Sequence, residues 1–222
     1  MPIRRLLTKF DDVNRPFFLK IEVIEKAVLS LLWGHYVEYC EQDDTDCPIL
    51  GMLEQVEFKL PGDDDCRIYN YIHYRKDISE KHRRFVFCKE LIHILDPACY
   101  RTNNDVDVEE LTIGMTTSNP IEEASPQAIH DRRSVVLAAA VFIPPSIREK
   151  LLPALETGEK TIQDISDFLK IPEEIVGSVF SKSWLTTFKY HMDRLNKDLD
   201  GEDEYDEPNS HNVVSEDVSS DA

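Results

Sequence analysis

The sequence predicts an α+β fold, mainly helical, with a small β-sheet beside one central helix, further helices towards the C-terminus and a disordered acidic tail. Three observations carry this. First, residues 82–97 read H-R-R-F-V-F-C-K-E-L-I-H-I-L-D-P. At about 100° per residue, Phe87, Cys88, Leu91, Ile92, Ile94 and Leu95 share one apolar arc, while Lys89, Glu90 and His93 gather opposite with Val86. Second, the β-branched and aromatic residues between 53 and 74 are split by a Pro61-Gly62-Asp63-Asp64 turn signal, which marks paired strands. Third, residues 197–222 hold ten acids, one lysine and almost no apolar mass, too little to offset the entropy of ordering.

Taken in order, residues 1–16 form a polar lead-in. Residues 17–41 carry Ile21, Ile24, Val28, Leu31, Leu32, Tyr36 and Val37 at three- and four-residue spacings, and a long amphipathic helix is expected. Trp33, Tyr36 and Tyr39 fall on it, and core packing accounts for them better than a pocket does. The acidic run 41–46 marks a loop. Leu53, Val56, Phe58 and Leu60, then Ile68, Tyr69, Tyr71, Ile72 and Tyr74, give a hairpin or two adjacent strands. The central helix follows and stops at Asp96-Pro97, because the residue before a proline is pushed out of the helical region.

Residues 100–127 are polar and read as a loop or a broken helix. Residues 131–143 form a helix of small residues halted by Pro144-Pro145, and its alanines allow close approach to the central helix. Ser146 with Glu149 has the capping-box pattern and opens a helix to about residue 155. Thr161 and Asp164 open another, Ile171-Pro172 interrupts it, and residues 172–180 begin again. The pair resembles a helix-turn-helix, but Glu173 and Glu174 stand where phosphates would be met, so packing is the better account. A last helix spans residues 184–195. The organisation is a lead-in (1–16), a main domain (17–145), a C-terminal helical subdomain (146–196) and the tail (197–222).

With 25 basic and 43 acidic residues the chain carries −18, half of that excess in the tail, so direct binding to nucleic acid or an anionic lipid surface is not expected. Cys40, Cys47, Cys66, Cys88 and Cys99 are odd in number and form no C-x-x-C pair, which points to a reducing compartment, the cytoplasm. No stretch reaches the roughly 20 apolar residues that span a bilayer, and no signal-peptide run follows Arg4-Arg5.

Glu90 and His93 in E-x-x-H spacing supply a general base and a metal ligand on one helical face, as in H-E-x-x-H, where two imidazoles one turn apart bind zinc and the glutamate polarises the bound water. The spacing alone is weak evidence. Taken singly, Glu90 also reads as a solvated acid, His93 as a satisfied boundary histidine and Asp131 as a helix N-terminal acid. No Ser-His-Asp arrangement, glycine-rich phosphate loop or carboxylate dyad competes.

Arg84-Phe85 followed by Lys89-Glu90-Leu91-Ile92-His93 resembles the metal-site helix of the ImmA/IrrE family of metallopeptidase-like domains. The preceding strand 67–74, the helix from Asp131 through Leu137 and Ala138 to Val141-Phe142-Ile143-Pro144, and the helices after Thr161 match that family's order, over residues 20–180. The resemblance implies a zincin-like fold and a zinc (Zn²⁺) metallo-endopeptidase acting on a repressor-like protein. In it Glu90 is the catalytic base, and His93 and Asp131 are metal ligands. Lys89 occupies the first ligand position, where an ammonium has no lone pair to offer and repels Zn²⁺. The ammonium could instead fill the metal's place, paired with Glu90 or Asp131. The alternatives are a metal-free regulatory or binding module of the same fold, whose partner is the protein its relatives cut, and an unrelated intracellular adaptor domain.

Overall fold

A computed structural model of the chain describes residues 2–12, 14–43, 50–59, 66–96 and 126–202. Among these residues, eight helices and three strands follow one another: α1 (Pro2–Phe10), α2 (Ile21–Leu29), β1 (His35–Gln42), β2 (Gly51–Lys59), β3 (Cys66–Arg75), α3 (Glu80–His93), α4 (Pro126–Phe142), α5 (Pro145–Glu156), α6 (Ile162–Leu169), α7 (Glu173–Phe180) and α8 (Trp184–Glu202). The fold is mixed α and β. No described helix is long and apolar enough to cross a membrane.

The sheet has the order β1-β3-β2, with β3 antiparallel to β2 and parallel to β1. Alternation along β3 sends Asn70 and Ile72, both fully buried, to the face that α3 covers. Phe87 of α3 packs there against Tyr39 and, edge-on, against Tyr74. Asn70 holds the buried face together through side-chain bonds to Gln55 (2.5 Å) and the Tyr36 carbonyl (2.7 Å), which answer its own polarity.

Helix α3 is fixed at its start by Ser79, an extended N-cap whose hydroxyl accepts from the His82 N–H at 3.2 Å. It is buried nearly all round, with α2 and the sheet on some sides and α4 on another. Helix α4 is apolar all round from Val135 to Ile143, as a helix enclosed by neighbours must be. One cluster of buried side chains runs from Ile3 in α1 through α3 and α4 to Leu195 in α8, on both sides of residue 146.

Two arginines act as staples. The Arg84 guanidinium donates to the carbonyls of Leu19 and of Leu169 (3.2 Å) and lies over the rings of Phe18 and Phe142. The Arg15 guanidinium donates to the last carbonyls of α4, Val141 (3.0 Å) and Phe142 (2.8 Å). Beside it, Asp11 accepts from the Ser146 N–H in the first turn of α5 at 3.1 Å.

Several expectations are corrected. The lead-in is not featureless: α1 buries Ile3, Leu6 and Phe10 at helical spacing. The long helix over residues 17–41 does not form, because α2 ends at Leu29, Gly34 adopts φ +73° and the chain continues as β1. Trp33 and Tyr36 are exposed instead of packed in the core; only Tyr39 of the three is packed inward. Ser146 is not a cap, since Pro144 holds that position without a side-chain bond. The Thr161–Asp164 capping box is observed, with Asp164 returning a bond to the Thr161 N–H at 2.8 Å. Helices α6 and α7 bury Ile165, Leu169, Ile175, Val176 and Val179, and Glu174 pairs with His82 at 2.9 Å. The acidic loop at 44–46, the turn at 61–64, the polar segment 100–125 and the tail beyond 202 lie outside the described residues; residues 197–202, expected in the tail, continue α8.

Candidate functional site: a buried chain of charges between two helices

Lys89, Glu90 and His93 lie one to four residues apart on α3, and α4 presents Asp131 to them. Because α4 begins at Pro126, Asp131 sits in its second turn and is not an N-terminal acid. The reading of Glu90 as a solvated acid also fails, for it is 2% exposed. All four residues expected at the site meet in one place.

The Lys89 Nζ lies 3.1 Å from Glu90 Oε1 and 3.0 Å from Asp131 Oδ1. The same Asp131 oxygen takes a second contact from His93 Nε2 at 3.2 Å. His93 Nδ1 faces Asp96 Oδ2 at 2.9 Å, and Asp96 Oδ1 meets Arg133 Nη2 at 3.3 Å. Charges therefore alternate from Glu90 through Lys89, Asp131, His93 and Asp96 to Arg133. Ser134 closes the inner side: its hydroxyl donates to the His130 carbonyl at 3.1 Å and so is left to accept from His93 Nδ1 at 3.2 Å. Arg133 also meets His130 Nδ1.

The pairing outweighs desolvation at three positions. Burial alone would push the Lys89 ammonium towards neutrality, yet the Glu90 and Asp131 carboxylates hold its pKa above the usual lysine range. Burial would likewise lower His93, but its bonds to Asp131 and Asp96 raise it to about 9, so both ring nitrogens donate at neutral pH. Burial would raise Asp131, but Lys89 and the His93 hydrogen bond bring it down to about 2. Asp131 Oδ2 is buried with no hydrogen-bond partner among the described residues.

These residues do not form a zinc donor set as they are arranged. Zinc takes lone pairs from neutral imidazole, thiolate or carboxylate, and here one ligand position is an ammonium and the other nitrogen carries a proton directed at a carboxylate. Among the described residues no group of three or more His, Cys, Asp or Glu side chains is placed to hold a metal. What the arrangement does is join α3 to α4 through a buried relay of ion pairs in which each charge is met by its opposite.

The sequence reading missed Asp96, Arg133, Ser134 and His130. The signal for Asp96 is its place three residues beyond His93, where a helical or near-helical chain returns to the same side; its position before Pro97 masks that signal as a helix stop. Arg133 and Ser134 follow directly from Asp131, yet no spacing in the sequence announces that an arginine is buried.

Comparison with protein-family models, curated proteins and solved structures found no match.

Proposed function

We propose that this chain is a metal-free protein-binding module on an ImmA/IrrE-like, zincin-like scaffold, in which the Lys89 ammonium stands where such peptidases hold zinc. The observation that carries the reading is the placement of Lys89 Nζ, 3.1 Å from Glu90 and 3.0 Å from Asp131, between the residues that would be base and ligand. The order of strand β3, helix α3 and the proline-terminated α4 supports the scaffold, as does the Arg84-Phe85 pair, which anchors α3 to Leu19, Leu169 and Phe142. A cation fixed by two carboxylates supplies the charge that a divalent ion would supply, without polarising a water for attack. The partner fitting this reading is a repressor-like protein of the kind that active relatives cut, bound here without cleavage. The cytoplasm is the compartment that suits it, given the free thiols of Cys40, Cys66 and Cys88.

Metal analysis on untagged protein, wild type beside Lys89→His, tests the proposal. Wild type is expected to bind no zinc, and Lys89→His to take up about one equivalent, because the new imidazole completes a donor set with His93 and Asp131. Stoichiometric zinc in the wild type, or a peptidase activity lost in Glu90→Gln, would overturn it.

A further inference from the structure

The sheet has a second face, opposite the one against which α3 packs, on which Tyr36, Val56 and Phe58 are exposed. The register across β1, β3 and β2 places residues on it in rows. One row is Tyr36, Tyr69 and Val56; the next is Glu38, Tyr71 and Glu54. The Tyr36 and Tyr69 rings stack at 5.2 Å, and Tyr69 stacks with Tyr71 at 6.4 Å, giving a continuous strip of aromatic surface along β3. Tyr36 and Val56 are exposed, as is Phe58 (50%), which sits beside Arg67 in the row on the other side of Tyr69, and Trp33, at the same end of the sheet, is 78% exposed. Large side chains on a sheet are ordinarily placed against something, and clustered exposed aromatics are characteristic of protein interfaces. The expectation that Trp33 and Tyr36 serve the core leaves them unexplained.

We infer that this open sheet face docks an extended segment of a partner protein whose side chains alternate between apolar and basic. Three features of the surface select that occupant. The rows lie two residues apart, about 7 Å, which is the pitch at which a strand presents its own alternate side chains. Apolar groups then meet the Tyr36–Tyr69–Val56 row while the neighbouring basic groups meet the next one. There Glu38 and Glu54 stand on either side of Tyr71 in the register, Glu54 also meeting His73 Nε2 at 2.8 Å, and a guanidinium or ammonium over that ring gains cation–π attraction and the attraction of both carboxylates. Finally, the net charge of −18 opposes a second copy of the chain and any polyanion. The surface deepens the reading of a protein-binding module but does not depend on zinc: a zinc-loaded wild type would remove the metal-free reading and leave this face as described.

The probe is an end-capped peptide of Leu-Thr-Arg-Thr repeats, with Leu-Thr-Glu-Thr repeats as its counterpart, titrated against the full chain and followed through Trp33 fluorescence and calorimetry. The arginine peptide is expected to bind at least about tenfold more tightly than the glutamate peptide. Glu38→Gln with Glu54→Gln should abolish that preference, and Tyr36→Ser with Val56→Ser should weaken binding about tenfold. Phe168→Ser, an exposed aromatic on α6, should change nothing. Circular dichroism checks each variant's fold; if the serine pair does not fold, the glutamine pair decides. Absence of binding, equal binding of the two peptides, or a preference untouched by the glutamine pair overturns the inference. So does a concentration-dependent dimer lost on Val56→Ser, or oligothymidine binding lost on Tyr36→Ser; these would assign the face to a second copy or to nucleic acid.

Discussion

Lys89 and Asp131 meet at 3.0 Å across the contact between α3 and α4, with about nine-tenths of each side chain withdrawn from solvent. Removing one partner of such a pair leaves the other charge buried and unanswered, which is far worse than removing both. Lys89→Met should therefore destabilise the fold by about 3 kcal/mol, read by urea denaturation. Adding Glu90→Gln and Asp131→Asn to Lys89→Met should recover most of that loss. A Lys89→Met protein as stable as wild type would mean that the ion pair contributes nothing.

Stability should peak near pH ~6.5, the unfolded-state pKa of histidine, because the part-buried His93 and the buried His191 are shifted in opposite directions. His93 is raised to about 9, against the cost of its burial, by Asp131 and Asp96, with Glu90 adding attraction and Lys89 repulsion. The folded state holds that proton more tightly, so its contribution is complete below the unfolded pKa and is lost as pH rises towards 9. His191 is lowered to about 4 by burial and by Arg133, Arg194 and Arg132. There the unfolded state takes the proton first, so stability falls as pH drops from ~6.5 towards 4. Each limb has a limiting slope of about 1.4 kcal/mol per pH unit. Thermal melts across this range should show both limbs, with His93→Gln flattening the alkaline one and His191→Gln the acid one.

The Val141 carbonyl would look to Pro145, which has no N–H, and the Ser146 N–H that would reach Phe142 is bonded to Asp11 instead, so Arg15 supplies both donors. Arg15→Met should cost about 1–2 kcal/mol in chemical denaturation. Arg15→Lys should lose less, since one ammonium can still reach one carbonyl. Equal stability of Arg15→Met and wild type would show that water satisfies those carbonyls equally well.

Gly51 begins β2 directly beneath Val86 of α3. A Cβ there would collide with Val86 Cγ1 and lie 3.3 Å from the His73 carbonyl. Gly51→Ala should destabilise by about 1–3 kcal/mol through forced separation of helix and sheet. Combining it with Val86→Ala removes the colliding methyl and should return part of the loss, a coupling that a double-mutant cycle measures directly.

The legible parts of the sequence were those whose signal is local. The halt of α4 before Pro144-Pro145 and the reciprocal cap of Thr161 and Asp164 depend on residues within one turn of each other, and both are observed; α3 ends at His93, three residues before Asp96, and Pro97 lies outside the described residues. Residues 31–42 carry two signals at once: Leu31, Leu32, Tyr36 and Val37 satisfy a helical period while the alternation from His35 to Cys40 satisfies a strand's. Gly34 decides between them: a Cβ at this position would lie 2.9 Å from the Cys66 carbonyl, a contact made only once β3 is in place. The meeting of Lys89, Glu90, His93 and Asp131 between α3 and α4 has no local signal, since Asp131 lies about 40 residues from the other three. The extension of the charge relay to Asp96 and Arg133 is not legible either, because long-range pairing leaves no periodic mark in the sequence.

The strand at the centre of the sheet is the last of the three in the chain, and β1 and β2 do not pair with each other. During synthesis, neither outer strand has a partner until Cys66–Arg75 leaves the ribosome. The aromatic residues of His35–Gln42 and Gly51–Lys59 must wait until then, with the backbone edges of both strands unpaired over that interval.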